Sequence, residues 1–97
     1  MRIISRKKLN DFCKYHPQAE KPLRAWYADA KQENWTSPND LKNIYRNASI
    51  ITNNRVVFNI KGNDYRLVVA INYSHSIIYI RFIGTHVEYD KIDSRII

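Results

Sequence analysis

The sequence predicts an α+β fold, with N-terminal helices packed on one face of an antiparallel β-sheet and residues 1–97 forming a single domain. Three observations lead there. Apolar positions recur at three- and four-residue steps as far as about Tyr45, the helical period. From Arg55 onward the period drops to two, in runs rich in Val, Ile, Tyr and Phe. Helices come first and strands after, an order that segregates them into separate layers. A length of 97 residues provides for one ordinary core and not two.

Taken in order, Arg2 to Ile4 reads as a short edge strand. Ser5 is placed as the N-cap of a helix running to about Tyr15, with Leu9, Phe12, Cys13 and His16 as its buried stripe. Pro17 ends it, because the residue before a proline is pushed out of the helical region. A second helix starts near Lys21, with Pro22 in the first turn where a missing N–H costs least. Leu23, Trp26, Tyr27, Ala30 and Asn34 share its inner face. Ser37-Pro38-Asn39-Asp40 repeats the cap pattern, with Asp40 reaching back as in a capping box. The short helix it opens reaches about Tyr45, with Leu41 and Ile44 inward. Arg46 to Asn54 is polar and Asn-rich, a connecting loop.

Arg55 to Ile60, Tyr65 to Tyr73 and Ile77 to Ile83 are then strands. Lys61-Gly62-Asn63-Asp64 and the turn around Ser74-His75-Ser76 are short, so the three strands form an antiparallel meander. Val56, Phe58, Ile60, Leu67, Val69, Ile71, Tyr73, Ile78, Ile80 and Phe82 share an apolar face for the helices. A tight first turn pairs Asn59 with Arg66 and Val57 with Val68 on the other face. A four-residue second turn adds Tyr79 and Arg81 to it, whereas a three-residue turn sends them to the opposite side. The apolar pattern agrees best with four.

Composition narrows the function. With 16 Lys and Arg against 9 Asp and Glu, the net charge of +7 points to an anionic partner. The single Cys13 forms no internal disulfide, which fits a cytoplasmic protein. No apolar run reaches the roughly 20 residues of a membrane span. The opening Met1-Arg2-Ile3-Ile4-Ser5-Arg6 turns polar too soon for a signal peptide. Cys13 and His16 are the only pair at metal-ligand spacing, so no metal site is expected. Gly62 and Gly84 are the only glycines, so no phosphate loop for a nucleotide cofactor is present.

The outward face carries Arg55, Asn59, Lys61, Arg66, Asn72, Tyr79 and Arg81. Two arginines mid-strand, converging on a small cup, suit one phosphate, because the guanidinium fork matches phosphate oxygens. Gly84 allows a kink at the strand's end, and His86 and Tyr89 lie one helical turn apart beyond it. A His and a Tyr beside arginines fit proton transfer around a phosphodiester. The plainer alternative packs both at the rim, with Asp90 capping a turn.

At these residues the chain resembles a known family. Residues 57–68, from Val57 through Lys61-Gly62-Asn63-Asp64 to Val68, and residues 80–92, from Ile80 through Arg81 and His86 to Ile92, are similar to the HigB-type toxins of the RelE-like superfamily. The opening Met1-Arg2-Ile3-Ile4-Ser5 and the stretch Trp35, Pro38, Asp40-Leu41-Lys42 fit as well. The resemblance implies a RelE-like domain acting as a ribosome-dependent mRNA interferase. Such a toxin cuts the codon in the 70S ribosomal A site by attack of the RNA's own 2′-hydroxyl, without metal or cofactor. It implies a HigA-type helix-turn-helix antitoxin, with operator DNA bound only through the toxin–antitoxin complex. Carried over by position, Arg66 and Arg81 stabilise the transferring phosphate, His86 is the general acid or base, and Tyr89 assists it or stacks on a nucleotide. Lys61 and Asn63 bind phosphate, with Asn59 and Arg55 beside them on the same face. The competing expectation is a catalytically inactive RNA- or ribosome-binding domain of the same fold.

Overall fold

Residues 1–97 are all described by a computed structural model. The elements run β1 (Arg2–Ile4), α1 (Arg6–Tyr15), a 3₁₀ turn (Pro17–Ala19), α2 (Glu20–Gln32), α3 (Pro38–Ile44), β2 (Ser49–Ile51), β3 (Arg55–Ile60), β4 (Tyr65–Asn72), β5 (Ile77–Thr85) and α4 (His86–Tyr89). The fold is α+β, built on one five-stranded sheet in the order β1-β5-β4-β3-β2.

β3, β4 and β5 form the expected antiparallel meander. Asn59 faces Arg66 and Val57 faces Val68, while Ala70 faces Tyr79 as a four-residue second turn requires. Two edge strands extend it. β1 pairs with β5 in parallel, Arg2 beside Ile77, so the sheet is mixed and not wholly antiparallel. β2 pairs with β3, Ser49 opposite Val57, inside the stretch 46–54 read from sequence as a loop. Their hairpin closes through Asn53 and Asn54, with φ of 61° and 59°. Asparagine tolerates this left-handed region, and two such residues give the twist that a short hairpin needs.

The core lies between the sheet and the helices. Leu9, Leu23, Trp26, Trp35 and Leu41 pack on Val56, Phe58, Leu67, Val69, Ile78 and Ile80 in one buried cluster. Phe58 is its centre, with the rings of Tyr45, Trp26 and Trp35 at 5.2, 5.4 and 6.3 Å. Ile44, expected inward, is instead 50% exposed. α3 ends there, and the following Tyr45 turns its ring into the core in its place. Asn34 lies beyond the end of α2 and accepts a hydrogen bond from the Ser76 hydroxyl at 2.8 Å.

Neither expected cap forms as read. Ser5 occupies the N-cap position with φ 75° and no side-chain cap bond, because the chain reverses there directly from β1 into α1. Asp40 accepts from the Thr36 N–H and hydroxyl, at 3.0 and 2.7 Å, and more weakly from the Ser37 N–H, while the Ser37 side chain makes no cap bond. Those bonds hold the Asp40 carboxyl below its ordinary range.

One irregularity shapes the far face. The β4–β5 register shifts between Val68 and Val69, which face Phe82 and Ile80, so Arg81 is the extra residue of a β-bulge. Beyond it the alternation inverts. Phe82, expected in the core, lies on the outer face opposite Val68, and Ile83 packs against the core opposite Leu67.

Candidate active site

Every second residue of β4 faces away from the helices, and pairing lays that face out in rows. Arg66 lies between Asn59 and Gly84, Val68 between Val57 and Phe82, and Ala70 between Arg55 and Tyr79. Polar rows thus flank an apolar one. Val57, Val68 and Ala70 are buried on this face, outside the main core cluster. Residues 90–97 return over the same side of the sheet. The Ile97 carbonyl accepts from Arg55 Nε and Nη2 at 3.0 and 2.6 Å, and the Arg95 carbonyl accepts from Asn53 Nδ2 at 3.0 Å. The outward face is therefore partly strapped, not an open solvated surface.

At the hairpin end, Arg66 Nη1 donates to the Asn63 carbonyl at 2.8 Å. Lys61, held at φ 52°, places Nζ 3.2 Å from Asp64 Oδ2. The His86 N–H donates to the Asp64 carbonyl at 3.2 Å, which docks the start of α4 on the same turn. α4 forms because Thr85 and Glu88 make a capping box. Thr85 Oγ1 accepts from the Glu88 N–H at 3.2 Å, and Glu88 Oε1 accepts from the Thr85 N–H at 2.8 Å. The box fixes His86 in the first helical turn, and one turn on Asp90 Oδ2 lies 3.3 Å from His86 Nδ1. A carboxylate on one ring nitrogen orients the imidazole and leaves Nε2 free, the relation of a base to its orienting group. The Tyr89 hydroxyl lies 3.4 Å from Ser94 Oγ, so Tyr89 is tied to the returning segment and not to His86.

The opposite end holds Arg55, Arg81 and Tyr79, which with Asn72 line a depression of about 430 Å³. The Arg81 guanidinium lies 5.6 Å from the Tyr79 ring centre. Sequence reasoning placed Arg66 and Arg81 on one cup, and the geometry divides them. Arg81 lies three residue steps along β5 from Gly84, the partner of Arg66, which is about 10 Å along the strand. Arg66 also leans toward the first hairpin and Arg81 toward Tyr79. Lys61, Asn63, Asn59, Arg66 and His86 therefore share one end of the face, and Arg55 and Arg81 share the other. No three His, Cys, Asp or Glu side chains gather closely enough to hold a metal ion.

Two features of the site escaped the sequence reading. The capping box is legible as Thr-x-x-Glu at Thr85 and Glu88. Asp90, read there as a turn cap, stands at the i+4 spacing from His86 that makes it a ring-orienting partner.

The capping box yields a testable expectation. Bonds from Thr85 hold the Glu88 carboxyl below the ordinary glutamate range. A depressed folded-state value stabilises α4 above the unfolded value, and that stabilisation is lost as pH falls through the folded one. Amide protection of residues 86–90 is therefore expected to weaken on acidification below the ordinary carboxylate range. At neutral pH, Thr85→Ala should produce the same local loss, costing about 1 kcal/mol. Unchanged amide exchange in both cases would contradict a box that holds His86 in place.

Residues 19–92 match the family described as HigB toxin, the RelE-like toxic component of a toxin-antitoxin system. The chain belongs to this family. It is 24% identical over 94 residues to the mRNA interferase HigB of Escherichia coli strain CFT073, covering 95% of this chain and 91% of that protein. It is 29% identical over 92 residues to the mRNA interferase HigB of Shigella flexneri, covering 93% and 88%. Membership in the HigB toxin family makes the chain the toxic half of a two-component system whose other half is an antitoxin. No helix of this HigB-family chain is long and apolar enough to cross a membrane.

Proposed function

We propose that residues 1–97 form one toxin domain that cuts mRNA as a ribosome-dependent endoribonuclease, with the hairpin end of the outer sheet face as its active site. The observation that carries this reading is the His86–Asp90 pair, 3.3 Å apart and docked on the same turn as Arg66, in a chain of the RelE-like toxin family. His86 Nε2 takes the proton of the RNA 2′-hydroxyl or gives one to the leaving 5′-oxygen. The 2′-oxygen bonds to the adjacent phosphorus as the bond to the 5′-oxygen breaks, leaving a 2′,3′-cyclic phosphate and a 5′-hydroxyl. The nucleophile belongs to the RNA itself, so neither metal nor cofactor enters the reaction.

Arg66 answers the charge that builds on the phosphate oxygens. Lys61, Asn63 and Asn59 hold neighbouring backbone groups, and Arg55 and Arg81 contact the strand farther along. Tyr89 supports the site from the returning segment. The partners are mRNA in the 70S A site and a HigA-type helix-turn-helix antitoxin, through which the complex reaches operator DNA in the cytoplasm.

Mapping mRNA 5′ ends after induced expression tests this. Cuts in frame and confined to translated regions are the expected result. Cuts in naked RNA would overturn ribosome dependence. Binding to ribosomes without any cut would favour an inactive RNA-binding domain of the same fold.

A further inference from the structure

β1 covers the edge of β5 only at Ile77, Ile78 and Tyr79. Beyond that the edge faces α1, and between them runs a groove of about 390 Å³. Tyr15 stands at its rim, 82% exposed, the most exposed large apolar side chain of the chain. Phe12 and Phe82 line the walls, half-buried. Phe12 is braced from behind by His16, the two rings stacked at 4.3 Å. Lys8 reaches the Arg81 carbonyl at 3.5 Å, so a cation spans the groove from α1 to β5. The one carboxylate present, Asp11, is paired with Lys7 at 3.5 Å and Lys14 at 3.7 Å, which offset its charge.

The bulge gives this groove its meaning. Arg81 lines both the groove and the depression that holds Arg55 and Tyr79. It therefore stands on the ridge between two pits, each with a tyrosine and a second cation: Tyr79 and Arg55 on one side, Tyr15 and Lys8 on the other. Cations spaced along a track with aromatic rings beside them are what a single-stranded nucleic acid needs. Phosphates follow the charges and unpaired bases stack on the rings, with little dependence on sequence. The net charge of +7 favours the same occupant.

We propose that the groove between α1 and the free edge of β5 receives an unpaired base of single-stranded RNA, stacked on Tyr15 while Arg81 holds its phosphate. This rests on the RNA-cleaving reading and adds a second contact site, remote from the hairpin end. It gives Arg81 a role in holding the strand, separate from the reacting phosphate.

The test uses mRNA containing 4-thiouridine on translating ribosomes, with the toxin carrying His86→Ala so that the RNA stays whole. After irradiation, cross-linked peptides are mapped by mass spectrometry. Cross-links at Tyr15 or Phe82 are expected, besides those at the hairpin end. Tyr15→Ala should lower the yield at this groove about tenfold, and Tyr15→Phe, which keeps the ring, should restore it. Cross-links confined to residues 59–66 and 86–90, with Tyr15→Ala unchanged, would overturn the groove and leave the nuclease reading standing. No cross-link anywhere would overturn both. Loss of antitoxin binding by Tyr15→Ala with RNA cross-links intact would assign the surface to the antitoxin and overturn the proposal.

Discussion

His86→Ala is expected to lower RNA cleavage by about 10²- to 10⁴-fold, the usual contribution of a positioned acid or base. The side chain is 54% exposed and its ring has no bond besides the one to Asp90, so its removal leaves the core untouched. The variant should keep its thermal midpoint and its antitoxin binding while losing growth arrest. Asp90→Asn separates orientation from proton transfer. It keeps the size of the partner but weakens its hold on the ring nitrogen. A smaller rate loss than for His86→Ala is expected. A folded His86→Ala variant as toxic as the parent would remove the residue from the mechanism.

The largest stability effect is expected at Phe58. The ring is 1% exposed and meets three other aromatic rings that arrive from α2, from the segment before α3 and from its end. Phe58→Ala leaves a void lined by stiff rings that cannot collapse into it, at a cost of about 3–5 kcal/mol. For a domain of this length, that lowers the melting midpoint by at least about 12 °C. Phe58→Leu, which refills part of the space, should recover a good share. Differential scanning calorimetry decides it, and a shift below a few degrees for alanine would mean that the helices are held on the sheet by other contacts. Trp26 and Trp35 bury their indole N–H groups without an acceptor.

What was legible in the sequence followed from period and turn length. β3, β4 and β5 combine strict alternation with short turns, so both the strands and their register were readable. α1 and α2 announce themselves by stripes around Leu9 and Trp26. β2 was hidden because Ser49–Ile51 is too short for alternation to show. Its one signal was the pair Asn53-Asn54, whose left-handed tolerance suits a hairpin. β1 was readable as a strand, but its parallel partner lies some 75 positions away, beyond any local pattern.

The site was half legible. Residue types and the faces of β3 and β4 were recoverable, and Arg66 and His86 do share one end. The separation of Arg66 from Arg81 was not recoverable. A bulge at Arg81 replaces no residue and breaks no hydrophobic run, since Phe82 and Ile83 are equally apolar and simply exchange faces. Strapping of the outer face by residues 90–97 depends on hydrogen bonds to backbone carbonyls, which carry no signature in the identity of the acceptor residue.

The parallel pairing of β1 with β5 bears on how the protein is made. Arg2 lies beside Ile77, so β1 waits for a strand made 75 residues later before it can join the sheet. At about 5–20 residues per second, that delay is roughly 4–15 s. Until β5 is made, β4 lacks this neighbour, and the turn at Asp64 has no α4 docked on it. A chain of a toxin family is thus assembled with its candidate reactive end completed late, as part of the same closure that seals the edge of its sheet. Synthesis order and topology together leave that edge of the sheet open until β5 arrives.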